Sequence, residues 1–173
     1  MDLWTTIERR RSVRRFSSAE VPLSDIERIL TAAIRAPSAG NRQPWHLIVV
    51  RNRELKRALA GAAGGQGFVA AAPVVIVVCA EPGRSATRYG SRGRDLYCLQ
   101  DTAAATEHIL LAATALGLGG CWVGAFDEMA AAQALSLPAT LRPVAMVPIG
   151  HPVGEGRAGS SRRPLTEVTS WRD

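Results

Sequence analysis

Five arginines crowd into "ERRRSVRRF", residues 8–16. All are charged at neutral pH and repel one another unless an anion lies nearby. That anion could be a nucleic-acid backbone, a membrane surface, one bound phosphate, or nothing more than water carrying counter-ions. If residues 10–14 leave a helix as an extended segment, the two-residue period puts Arg10, Ser12 and Arg14 on one side. Two guanidiniums flanking a hydroxyl suit a phosphate, because the planar arginine fork engages two oxygens at once. Taken by itself, the run reads more simply as a solvated charged face.

A second candidate is "APSAGNRQPWH", residues 36–46. Pro37 stops a helix; Ser38, Asn41 and Gln43 offer hydroxyl and amide groups; Pro44 restricts Gln43 before a strand begins. Such a loop can hold a polar ring edge or a ribose hydroxyl, and the same residue types also make an ordinary turn. The third is "GLGGCWVGAFD", residues 117–127. Its glycines follow a helix and open a strand, the reverse of a dinucleotide-binding loop, so a GxGxxG reading is rejected. They still permit close approach of backbone to a flat ligand. His46, His108 and His151 are far apart, and Cys79, Cys98 and Cys121 sit in apolar settings. Neither a catalytic dyad nor a zinc site nor a disulfide framework is expected, so a cofactor has to supply any chemistry.

The chain length of 173 residues, 47% hydrophobic and 21% charged, suits one domain over 1–173 with a proper core. The net charge is +6, yet Lys56 is the only lysine among 21 basic residues, and Phe16 is the only aromatic in the basic run. A nucleic-acid reader should show a recognition motif or interleaved aromatics, so none is expected as a partner. The longest apolar stretch, Val69 to Ala80, is too short to span a bilayer and contains Pro73. The first twenty residues are charged rather than apolar, which predicts a cytoplasmic chain with no membrane partner.

The elements that must position these groups follow from periodicity. Leu3, Trp4 and Ile7 predict a short amphipathic helix over residues 2–10. Ser24 to Glu27 reads as a capping box, followed by a stripe of Ile26, Ile29, Leu30, Ala33 and Ile34. Strands are predicted over 46–51, 74–80, 121–125 and 144–149, and helices over 53–62, 95–116 and 127–135. Residues 74–80 are β-branched on both faces, as in a doubly covered central strand. Residues 81–94, with four arginines and three glycines, read as a loop. The helix over 95–116 is apolar nearly all round and calls for burial, most naturally at a subunit interface. The tail from 151 to 173 carries Arg157, Arg162, Arg163 and Trp171, and its PLTEVTSW has strand character. The class is α+β with about four strands covered by helices.

Taken in order, "RRSVRRF", "APSAGNRQPWHLIVV", "DTAAATEHILLAATALGLGGCWVGAFD" and "RRPLTEV" resemble the motifs of the FMN-dependent nitroreductase family over essentially the whole chain. The resemblance implies a central, mostly antiparallel sheet wrapped by helices in an intertwined homodimer, with residues 151–173 packing on the partner. It implies FMN at the subunit interface, its phosphate and ribityl chain gripped by Arg10, Arg11, Ser12 and Arg14. Pro37, Ser38 and Asn41 would come from the partner subunit, supported by Gln43. Trp122, Val123 and Gly124 would run beside the isoalloxazine, with a backbone N–H at Gly124 or Ala125 facing N5. Gln66 would meet the pyrimidine edge, and Arg162 or Arg163 would complete the phosphate site.

The implied activity is ping-pong transfer of reducing equivalents from NAD(P)H through FMN to a nitroaromatic, quinone or similar acceptor. Alternatives on the same fold are activated-alkene reduction, reductive dehalogenation, flavin breakdown, or flavin binding without turnover. A basic nucleic-acid-binding module without flavin is the alternative from another class.

Overall fold

The computed structural model describes residues 1–154 and 161–172. Four strands, β1 (Trp45–Val50), β2 (Val74–Ala80), β3 (Gly119–Gly120) and β4 (Arg142–Gly150), form one sheet in the order β1-β2-β4-β3. Every neighbouring pair is antiparallel. The helices are α1 (Leu3–Arg9), α2 (Leu23–Ala33), α3 (Arg53–Ala62), α4 (Gly67–Ala71), α5 (Pro82–Arg92), α6 (Cys98–Ala115), α7 (Glu128–Ala134) and α8 (Leu165–Val168).

All seven residues of β2 are buried because helices cover both faces of the sheet. Val74, Ile76 and Val78 pack into one core with Ile26 and Ile29 of α2 and Ile109 and Ala113 of α6. Val75, Val77 and Cys79 enter a second core with Leu59, Val69, Ala131 and Met146. Each buried Val or Ile contributes about 1.5–3 kcal/mol, so this strand anchors both layers. Burial also pushes the Cys79 thiol up to about 12, which leaves it inert at neutral pH. Among the described residues, no helix is long and apolar enough to cross a membrane.

Four expectations are corrected. Residues 81–94 are no loop: Pro82 opens α5, and a wide π-turn over Gly93–Tyr97 joins it to α6. The capping box does not form, since α2 begins at Leu23 behind Pro22 with no side-chain cap. Residues 121–125 are not a regular strand; only Gly119–Gly120 is, with an isolated bridge from Val123 to Met146. The strand-like PLTEVTSW instead holds the short helix α8. The short helix expected over residues 2–10 does form, as α1, and its apolar stripe faces outward: Thr6 is its buried residue, while Trp4 is 74% exposed, with Leu3 and Ile7 exposed beside it. Of the tail, residues 155–160, Arg157 among them, lie outside the described residues.

Candidate functional site

Where α1 ends at Arg9, the chain extends and lies along the glycine strand. Ser12 bridges Gly120 in parallel, and the Val13 N–H donates to the Gly120 carbonyl at 2.9 Å. A Cβ on Gly119 would sit 2.6 Å from Val13 Cγ2, so only glycine lets the arginine segment approach this closely. The segment alternates. Val13 lines a cavity of about 240 Å³ together with Arg9, Arg11, Thr114 and Leu118. Arg10, Ser12 and Arg14 are not among its lining residues. Arg11 therefore shares its cavity with Arg9, apart from the other three residues of the expected grip.

Arg10 meets Glu107 of α6 at 3.8 Å, a loose pair that leaves most of its donors available. The Arg14 guanidinium stands over the Phe68 ring, 5.8 Å from its centroid. Phe68 adjoins Gln66, the N-cap of α4, whose amide donates to the carbonyls of Ala63 at 3.0 Å and Ala125 at 3.4 Å. These contacts tie the arginine segment, the start of α4 and residues 122–125 into one region of one chain.

In that region Cys121 and Val123 are buried, whereas Trp122, Gly124 and Ala125 are exposed. The backbone of Val123 is paired both ways with Met146, at 2.9 and 3.0 Å. The side chain of Val123 thus belongs to the core, and the open side is built by Trp122, Gly124 and Ala125. Among the described residues, the N–H groups of Gly124 and Ala125 donate to nothing. A Cβ on Gly124 would meet nothing nearer than Trp122 Nε1 at 3.7 Å. Two free N–H groups on an uncovered ribbon, next to arginines and a hydroxyl, match a flat ring that carries a phosphate.

The second loop lies elsewhere on the chain. Pro37 is exposed and Ser38 Oγ accepts from the Gln43 N–H at 3.0 Å. Gln43 Nε2 donates to Asn41 Oδ1 at 3.2 Å. Gly40, Asn41 and Gln43 all have positive φ (55°, 54° and 50°), a conformation that costs non-glycine residues about 1–2 kcal/mol each. Asp101 of α6 holds the strained loop, its carboxylate accepting from the Ala39 N–H at 3.1 and 3.2 Å. Asp101 is only 7% exposed, and burial pushes its carboxyl above the ordinary aspartate value, partly offset by the Ala39 N–H. Arg42 and Arg84 clasp each other's backbone: Arg42 Nε donates to the Arg84 carbonyl at 3.0 Å, and Arg84 Nε to the Arg42 carbonyl at 2.6 Å.

Asp101 and Glu107 are six residues apart on α6, about 9 Å along its axis and on different sides of it. The loop and the arginine segment are thus held at separate places on one subunit. In the tail, Arg163 is engaged locally with Glu167 at 3.1 Å, and both Arg162 and Arg163 are exposed. Phe68, Asp101, Arg42 and Arg84 escape sequence reasoning; no local pattern signals contacts that span tens of residues. His108 binds the Ala32 carbonyl through Nδ1 at 2.9 Å. Among the described residues, no three His, Cys, Asp or Glu side chains cluster as a metal would require.

An antiparallel sheet between helical layers, with an arginine-bearing segment laid beside an exposed glycine ribbon, defines an α+β class of protein. The nitroreductase family model matches residues 7–67 and 61–151. An NADH dehydrogenase of Thermus thermophilus is 35% identical over 199 aligned positions, covering 99% of this chain and 97% of its own. An FMN reductase [NAD(P)H] of Bacillus subtilis is 28% identical, covering 82% of this chain and 62% of its own. The structure of B. megaterium NfrA2 superimposes with a TM-score of 0.90 at 26% identity, covering 98% of this chain and 74% of that one. The chain belongs to the nitroreductase family and is an oxidoreductase of the NAD(P)H nitroreductase type.

Proposed function

We propose that this oxidoreductase binds FMN and carries reducing equivalents from NAD(P)H to a nitroaromatic, quinone or similar small organic acceptor. The observation that carries the reading is the pairing of Ser12 with Gly120, which sets Arg10, Ser12 and Arg14 beside the open ribbon of residues 122–125. FMN, when bound, supplies the ring that accepts and passes on the hydride. Arg10 and Arg14 neutralise the phosphate, and Ser12 adds a hydroxyl between them. The N–H groups of Gly124 and Ala125 are the donors available to a ring nitrogen, and they need no reorganisation to act. Gln66 Oε1 is an acceptor at the edge of the same ribbon. No nucleophile or acid–base pair is required of the protein.

The loop bearing Pro37, Ser38, Asn41 and Gln43 serves the site of a partner subunit in this reading, as does the tail bearing Arg162 and Arg163. Two surfaces support a homodimer. The outward stripe of α1 adjoins an apolar groove of about 300 Å³ lined by Leu3, His108, Leu111, Ala112 and Ala115. In the tail, Leu165, Val168 and Trp171 are exposed, Trp171 at 83%. Apolar area of this extent calls for a cover.

The purified protein is then yellow, and NADPH or NADH bleaches it in the absence of air. A colourless protein that cannot be reconstituted with FMN contradicts the reading.

A further inference from the structure

The helix α5 carries a cationic cluster that the flavin site does not use. Arg84 and Arg88 stand one turn apart on it, and both are exposed. Arg42, on the loop opposite, joins them through Arg84 and also donates to Thr87 Oγ1 at 2.7 Å. No carboxylate among the described residues lies within ion-pairing distance of any of the three. Arg42 and Arg84 each spend donors on backbone carbonyls, whereas Arg88 spends none.

Arg88 is nonetheless held in place. Its guanidinium lies 5.5 Å from the Tyr89 ring centroid, and Tyr89 packs edge-on against Tyr97 at 5.2 Å. Its Nη1 is 3.0 Å from where a Cβ on Gly40 would be, so the bare glycine makes room for it. Gly40 lies between Ser38 and Asn41, two of the residues assigned above to the flavin. An exposed, positioned and unpaired guanidinium beside the loop offered to the partner subunit's ring is a binding element for an anion carried by whatever lies over that ring.

We propose that Arg88, backed by Arg84, binds a phosphate of the nicotinamide dinucleotide while the nicotinamide meets the flavin. This rests on the flavin reading above. The phosphate is either the pyrophosphate shared by NADH and NADPH or the 2′-phosphate of NADPH alone.

The test is anaerobic stopped-flow reduction of the FMN-loaded protein by NADPH, NADH and 1-benzyl-1,4-dihydronicotinamide, which has no phosphate. Wild type is compared with Arg88→Gln and Arg88→Lys. In Arg88→Gln the dinucleotide Kd rises roughly tenfold or more, as the loss of a charge-assisted hydrogen bond requires. Flavin content, dithionite reduction and the rate with the benzyl analogue stay unchanged, and Arg88→Lys recovers part of the affinity. A rise for NADPH alone identifies the 2′-phosphate, and equal rises for both coenzymes identify the pyrophosphate. A yellow Arg88→Gln variant with unchanged Kd for both coenzymes overturns this assignment alone. So does an equal loss with the benzyl analogue. A colourless wild type overturns it together with the flavin reading.

Discussion

Two arginine-bearing regions serve this protein in different ways. In the N-terminal segment the cations sit on extended backbone laid against a glycine strand. Alternation gives the segment two sides, and Val13 fixes it to Gly119 and Gly120. In the α5 region the cations sit on a helix and brace a loop: Arg42 and Arg84 bind carbonyls, and Arg88 fills the space at Gly40. The first region is ordered by the sheet, so Arg10, loosely paired with Glu107, and Arg14, stacked on Phe68, keep most of their donors available for a ligand. The second is ordered by its own arginines, and only one is left over. Charge density alone does not separate these uses; what each guanidinium already touches does.

The sharpest way to break the comparison is to lift the first region off the sheet. Gly119→Ala forces a methyl group against Val13, and overpacking of this kind costs about 1–3 kcal/mol. A lower Tm with a large loss of bound flavin is expected. Full flavin content would show that the grip does not depend on this approach.

The second region is tested through its anchor. Asp101→Ala removes the acceptor for the Ala39 N–H and costs about 1–3 kcal/mol in urea unfolding. Asp101→Asn retains an acceptor and removes a titration. Burial raises the Asp101 carboxyl above its ordinary 3.8, so the folded protein holds this proton more tightly than the unfolded chain. Its contribution therefore falls as pH rises from about 4 through the raised value, then levels off. The wild type should lose stability relative to Asp101→Asn across that window; a constant difference would refute the effect.

A smaller effect is expected at Gly40. Gly40→Ala, at φ +55° with Tyr89 Oη 2.5 Å from the new Cβ, costs about 1–2 kcal/mol and leaves FMN binding by the first region intact in a monomer assay. Loss of FMN from isolated monomers would merge the two regions.

The elements legible in the sequence were those fixed by local chemistry. The residues of β2 are apolar on both faces, and only a central strand buries both. Asn52 and Asp127 cap α3 and α7 through their own side chains, accepting from Leu55 and Ala130. Gly117, at φ +77°, ends α6 where a left-handed residue is needed. What stayed hidden depends on distant partners. Helix α5 has no apolar stripe to announce it and is held by the Arg42 clasp and the Tyr89–Tyr97 contact. The segment PLTEVTSW carries β-branched residues, yet Arg163 and Glu167 close a turn across it. Within the site, alternation from Arg10 to Arg14 could be read from the chain, whereas Asp101, 62 residues from Ala39, could not.

The central claim is that Arg10 and Arg14 hold the phosphate of FMN, and its most direct test is the affinity of the flavin-free protein for FMN by fluorescence quenching. Each charge-assisted contact is worth about 1.5–3 kcal/mol, so Arg10→Ala/Arg14→Ala is predicted to weaken binding by roughly 10²–10⁴-fold while the far-ultraviolet circular dichroism stays unchanged. An unchanged FMN affinity in the folded double variant would contradict it.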